Sequence, residues 1–127
     1  MAAPEKTSAS ESRFSRVRTV PLGAATLLFV SGTTAREEAP YDIARQTEII
    51  FARIGELLAE HSAALGDIVR IGVFLTDMRE YDQYNAVRNR IFADVSSPPA
   101  STAVEAKLGK PALRIEIEAV AVVRAGN

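Results

Sequence analysis

The sequence predicts an α+β domain in which two helices cover one face of a mixed β-sheet. Segments 42–64 and 80–92 repeat apolar residues at helical spacing. Segments 69–76 and 113–122 alternate apolar and polar residues with a period of two, as half-buried strands do. The elements follow one another as β-β-α-β-α-β-β. Helices packed on one side of the sheet then bury all the apolar stripes in one core.

The chain order begins with a weak strand at 16–20, a turn at 21–25 and a short apolar strand at 26–31 that Ser31-Gly32 closes. Asp42, after Pro40-Tyr41, is placed to cap the first helix. Ile43, Ile50, Ile54, Leu57 and Leu58 form its apolar stripe, Arg45, Glu48, Arg53 and Glu56 lie on other faces, and Gly66 is the expected stop. In the next strand Val69, Ile71, Val73 and Leu75 alternate with Arg70, Gly72, Phe74 and Thr76. Tyr81, Tyr84, Val87, Ile91 and Phe92 line one side of the second helix, and Pro98-Pro99 ends that region. A short strand at 101–107 turns at Gly109-Lys110-Pro111. In the last strand Leu113, Ile115, Ile117, Ala119 and Ala121 alternate with Arg114, Glu116, Glu118, Val120 and Val122.

A chain of 127 residues matches one domain, and 47% hydrophobic with 24% charged residues is ordinary globular composition. Residues 1–13 have no apolar segment of the kind a secretory signal needs and read as a flexible tail, with 14–127 as the single domain. Fifteen basic against sixteen acidic residues leave a net charge of −1, which predicts no nucleic-acid partner. The longest uncharged stretch, 19–35, is broken by Pro21, Gly23 and Gly32, so no membrane partner is expected. No cysteine is present, consistent with a cytoplasmic protein and excluding thiolate chemistry. One histidine, His61, leaves little for a zinc or triad site, and no glycine-rich phosphate loop occurs. The sheet face away from the helices would carry Phe74, Val120 and Val122 beside Arg70, Glu116 and Glu118. So apolar an open face predicts a homo-oligomer.

Glu116 and Glu118, two apart on one strand, point to the same face about 7 Å apart. Such a pair can position water or act as acid and base. From alternation alone, the simpler reading is that they solvate an exposed strand face.

A resemblance adds to this reading. The stretch 96–123, SSPPASTAVEAKLGKPALRIEIEAVAVV, is similar to the C-terminal signature of the Rid family (reactive intermediate deaminase, YjgF-like or L-PSP endoribonuclease-like). LFVSGT at 28–33, DIARQTEIIFARI at 42–54 and LGDIVRIGVFLTDMREYDQYNAV at 65–87 match in order, so the likeness spans about 14–124. It implies a chorismate-mutase-like homotrimer whose sheets form a central barrel, with clefts between subunits. The implied activity is hydrolysis of small enamines or imines to a carbonyl compound and ammonia, with no cofactor or metal. Glu116 would hold or activate the attacking water. Ser31, Gly32 and the backbone near Ala103 would line the pocket floor, and Phe14 would pack over the substrate. Asn85 matches a recurrent asparagine of the second helix, with a structural role.

Ser101 departs from the pattern. Deaminating members have an arginine there that clamps the substrate carboxylate, and a hydroxyl cannot replace its charge. Arg36, Lys107 and Arg114 are other cations that could serve, although each also reads as a solvated surface charge. The departure leaves a non-catalytic small-molecule-binding or regulatory trimer as the alternative to a deaminase. A ribonuclease activity, which some relatives carry by attribution, gains little support from a net charge of −1.

Overall fold

The computed structural model describes residues 12–36 and 42–124. Its strands are β1 (Val17–Leu22), β2 (Ala25–Thr33), β3 (Ile68–Leu75), β4 (Ala100–Glu105) and β5 (Ile115–Arg124), and its helices are α1 (Ile43–Ala59) and α2 (Tyr81–Ile91). The sheet runs in the order β1-β2-β5-β3-β4, antiparallel throughout except for the parallel pair β3–β4. The predicted element order and mixed sheet are both present. No described helix is long and apolar enough to cross a membrane. Residues 1–11 of the expected tail, and Glu37, Glu38, Pro40 and Tyr41, lie outside the described residues.

The last strand in sequence is the middle strand in space. Ile115, Ile117, Ala119 and Ala121 turn one face of β5 towards the helices and are buried, as are Leu28 and Val30 of β2 and Ile71, Val73 and Leu75 of β3. Ile43, Ile50, Phe51, Ile54 and Leu58 of α1 and Tyr84 of α2 close the same core. Phe51 and Phe92 meet edge to face, 5.4 Å apart at 83°, which adds specific geometry to plain burial.

Local chemistry sets the ends of the elements. The Asp42 carboxylate accepts from the Arg45 N–H at 2.8 Å, the expected N-cap. The β1–β2 hairpin turns on Gly23, whose φ of +61° suits a two-residue turn. Strand β1 extends through Pro21 to Leu22, beyond the predicted 16–20. It is an edge strand, so a missing N–H is tolerated there.

Five expectations need correction. The first helix ends at Ala59, short of Ala64: the Ala63 N–H reaches back to the Leu58 carbonyl and the Ser62 N–H to that of Ala59, with Ser62 in the left-handed region. That pairing is a Schellman closure formed without glycine, while Gly66 sits in the following 3-10 turn, Leu65–Asp67. In β3 the core residue is Ile68, with Val69 48% exposed, because the register with β5 shifts between Ile68 and Arg70. One extra residue there reverses the parity of what precedes it. Ser31-Gly32 does not close β2 but forms a bulge within it, opposite Glu118. Strand β4 spans Ala100–Glu105 instead of 101–107, and Leu113 precedes β5 as a buried loop residue.

Gln46, fully buried on α1, fastens the entry to β5. Its amide donates to the Ala112 carbonyl at 3.0 Å and accepts from the Arg114 N–H at 2.9 Å. Gln46→Ala leaves both backbone groups unpaired and should lower unfolding free energy by about 1–3 kcal/mol in urea titrations. Ser62→Gly removes the left-handed strain and should raise it by about 0.5–1 kcal/mol.

Candidate active site

On the face of β5 away from the helices, the register sets Glu116 opposite Phe74 and Glu118 opposite Gly72. Each glutamate leans over a glycine on a flanking strand. A Cβ at Gly32 would come within 2.9 Å of the Glu116 carboxyl carbon, and one at Gly72 within 3.0 Å of the Glu118 Cγ. The surroundings of the two then diverge. Glu118 faces the Arg70 guanidinium at 3.5 Å, a pair about half exposed and so worth little. Among the described residues the Glu116 carboxylate has neither a hydrogen bond nor an ion pair. Burial, and secondarily the charge of Glu118, push its pKa above the usual carboxylate value.

The bulge also draws in the segment before β1. The Ser31 hydroxyl donates to the Ser15 carbonyl at 2.6 Å, and the Ser31 N–H to that of Arg16 at 2.9 Å. Phe14, 63% exposed, is thereby held at the rim of a hollow that it shares with Arg18, Phe29, Ser31, Glu118 and Val120. Phe14 thus borders the hollow at Glu118 on the open face, and Glu116 lies outside that lining.

The other candidates fall elsewhere. Ser101 and Ala103 are in register with Ile71 and Val73, whose side chains are in the core, so both lie on the helix side of the sheet. Within one chain the sheet therefore separates Ser101 and Ala103 from Ser31, Gly32 and Glu116. Arg36, with a left-handed φ of 53°, borders a groove along α1 with Arg16, Thr33, Glu48 and Arg53. The Arg114 guanidinium is engaged by both Glu80 carboxylate oxygens, at 2.8 and 2.7 Å. Asn85 accepts from Arg88 on the next turn of α2. No group of three or more His, Asp or Glu residues suited to a metal ion occurs among the described residues.

The fold has parallels among known proteins. The family model described as endoribonuclease L-PSP matches residues 5–123. A Mycobacterium tuberculosis protein, Rv2704, whose crystal structure is described as that of a YjgF/YER057c/UK114 family member, superposes with a TM-score of 0.71 at 34% identity, covering 84% of this chain and 85% of that one. The chain belongs to the YjgF/Rid family. A RutC family protein of Pyrococcus abyssi is 38% identical over 81 residues, covering 63% of this chain and 61% of the relative, so the match spans about three fifths of that relative's length. The 2-iminobutanoate/2-iminopropanoate deaminase of Escherichia coli is 34% identical over 89 residues, covering 68% of this chain and 69% of the relative.

In this YjgF/Rid-family chain, sequence reading assigned Tyr84 to packing and passed over Arg88. Tyr84 does pack in the core, but its hydroxyl is buried without a hydrogen bond. The Arg88 guanidinium lies over its ring, 5.5 Å from the centroid. Helical spacing marks Tyr84 as an inward residue but says nothing of which strand its hydroxyl meets.

The raised pKa of Glu116 means that the folded state binds this proton more tightly than the unfolded chain does. The ionised form therefore costs stability above the unfolded carboxylate value of about 4.5, and the cost vanishes as pH falls below it. Glu116→Gln should raise the melting temperature at pH 7 and leave it unchanged near pH 3. Gly32→Ala should expel the carboxylate into water, and its titration, followed by carboxyl carbon NMR, should move down towards 4.5.

Proposed function

We propose that the protein hydrolyses a small imine or enamine to a carbonyl compound and ammonia, at a cleft that a second subunit of a homotrimer completes. The observation that carries this reading is the half-buried Glu116 carboxylate, set against Gly32 with no cation paired to it among the described residues. The chemistry asks little of a protein. The imine carbon is already electrophilic, so the site has to orient the substrate and place one water. Water adds to that carbon while Glu116 accepts one of its protons. Returning that proton to nitrogen gives the carbinolamine, and transfer of its hydroxyl proton to nitrogen lets ammonia leave as the carbonyl forms. A base whose pKa is raised towards neutrality holds the transferred proton better than an ordinary surface carboxylate does.

The E. coli deaminase relative supports the reaction class. The shared cleft is supported by the open face, where Phe29 is 42% exposed and Phe74, Val120 and Val122 are only partly covered. Ser31 and Gly32 would line the floor beside Glu116, and Phe14 would border the neighbouring hollow at Glu118. The deciding experiment follows decay of an imine generated in situ by an amino-acid oxidase. The wild-type protein should accelerate decay and Glu116→Ala should slow it about 10²–10⁴-fold. Equal rates would remove the reading. Light scattering should give three subunits per particle, and a monomer would remove the shared cleft.

A further inference from the structure

We propose that Arg88, Tyr84 and Ser101 form an anion subsite that takes the carboxylate of a small 2-oxo or 2-imino acid. The three come together from α2 and β4. Tyr84 and Arg88 are one helical turn apart, and the β3–β4 register turns Ser101 to the helix side, where it is exposed and neighbours the Tyr84 hydroxyl. The Tyr84 hydroxyl is buried and, although Ser101 and Arg88 lie close to it, makes no hydrogen bond of good geometry with a described residue. A buried hydroxyl without a well-formed hydrogen bond is uncommon in a folded domain, and a water or a ligand at the exposed Ser101 can meet it.

The electrostatics specify that partner. The Arg88 guanidinium stacks on the Tyr84 ring and donates to two neutral amides, Asn85 Oδ1 and, at 3.3 Å, Asn89 Oδ1. It makes no ion pair among the described residues. A planar cation beside two hydroxyl groups, with no carboxylate among these contacts, is a donor-rich setting for a planar anion. Burial holds the Tyr84 phenol above its usual pKa, so it stays a donor at any physiological pH. Strand β4 is the sheet edge, so a ligand can reach Ser101 without parting a strand pair.

The subsite and Glu116 lie on opposite faces of the sheet. A ligand held here would therefore meet the glutamate of a second copy of the chain. The proposal rests on the deaminase reading only for what the rest of the ligand is; carboxylate binding can be measured without turnover.

The test titrates the full-length protein with pyruvate and with its neutral amide, pyruvamide, by calorimetry. Pyruvate should saturate one site per chain and bind at least about tenfold tighter than pyruvamide. Arg88→Gln should erase that preference, while Arg88→Lys should retain part of it. Tyr84→Phe should weaken pyruvate binding several-fold while the melting temperature holds or rises, because it removes a buried hydroxyl without a well-formed hydrogen bond; a purely structural tyrosine would leave binding untouched. Absence of saturable pyruvate binding, or wild-type affinity in both Arg88→Gln and Tyr84→Phe, overturns the subsite. Arg88-dependent pyruvate binding without imine hydrolysis upholds the subsite and removes the proposed activity. Hydrolysis of 2-imino acids that is indifferent to Arg88→Gln does the reverse.

Discussion

The parity of β5 governs this molecule. Ile115, Ile117, Ala119 and Ala121 are each at most 3% exposed, and they anchor a strand that pairs on both sides, with β2 and with β3. Once those four face the helices, the intervening Glu116 and Glu118 must face the other way. A slip of one residue would drive both carboxylates into the core and four aliphatic side chains out of it. The packing that stabilises the domain is thus the same constraint that presents its acidic groups, and the Gln46 clamp at Ala112 and Arg114 holds that phase at the strand's entry.

Two carboxylates on one strand face would be equivalent in isolation. Their glycine neighbours and one arginine make them different. Glu118 settles over Gly72 beside Arg70, whereas Glu116 settles over Gly32 with no ion pair among the described residues and the charge of Glu118 nearby. Environments that separate the proton affinities of paired carboxylates are a recurrent basis for dividing roles between them. Here burial against Gly32 singles out Glu116, whose pKa is raised.

The sheet is also a partition. Ser31, Gly32 and Glu116 lie together on the open face, while Ser101, Tyr84 and Arg88 gather on the helix side at the β4 edge. A ligand touching both groups has to sit between two copies of the chain. The open face, with its partly covered Phe74 and Val120, has the apolar character that such an association requires.

Much of this was determined by local sequence, because local spacing directly encodes which face a residue takes. The period-two run from Leu113 to Val122 set the phase of Glu116, the helical repeats set α1 and α2, and Asp42 marked its own cap. Four ordered matching segments also point to the family. Tertiary structure alone decided the bulges at Val69 and Ser31-Gly32, since a bulge exists only relative to the partner strand it is out of step with. It likewise decided that a serine, not Gly66, would close α1. The side taken by Ser101 and the meeting of Tyr84, Arg88 and Ser101 depend on how β4 docks beside β3 and beneath α2. Those contacts join residues far apart along the chain, and no local periodicity encodes them.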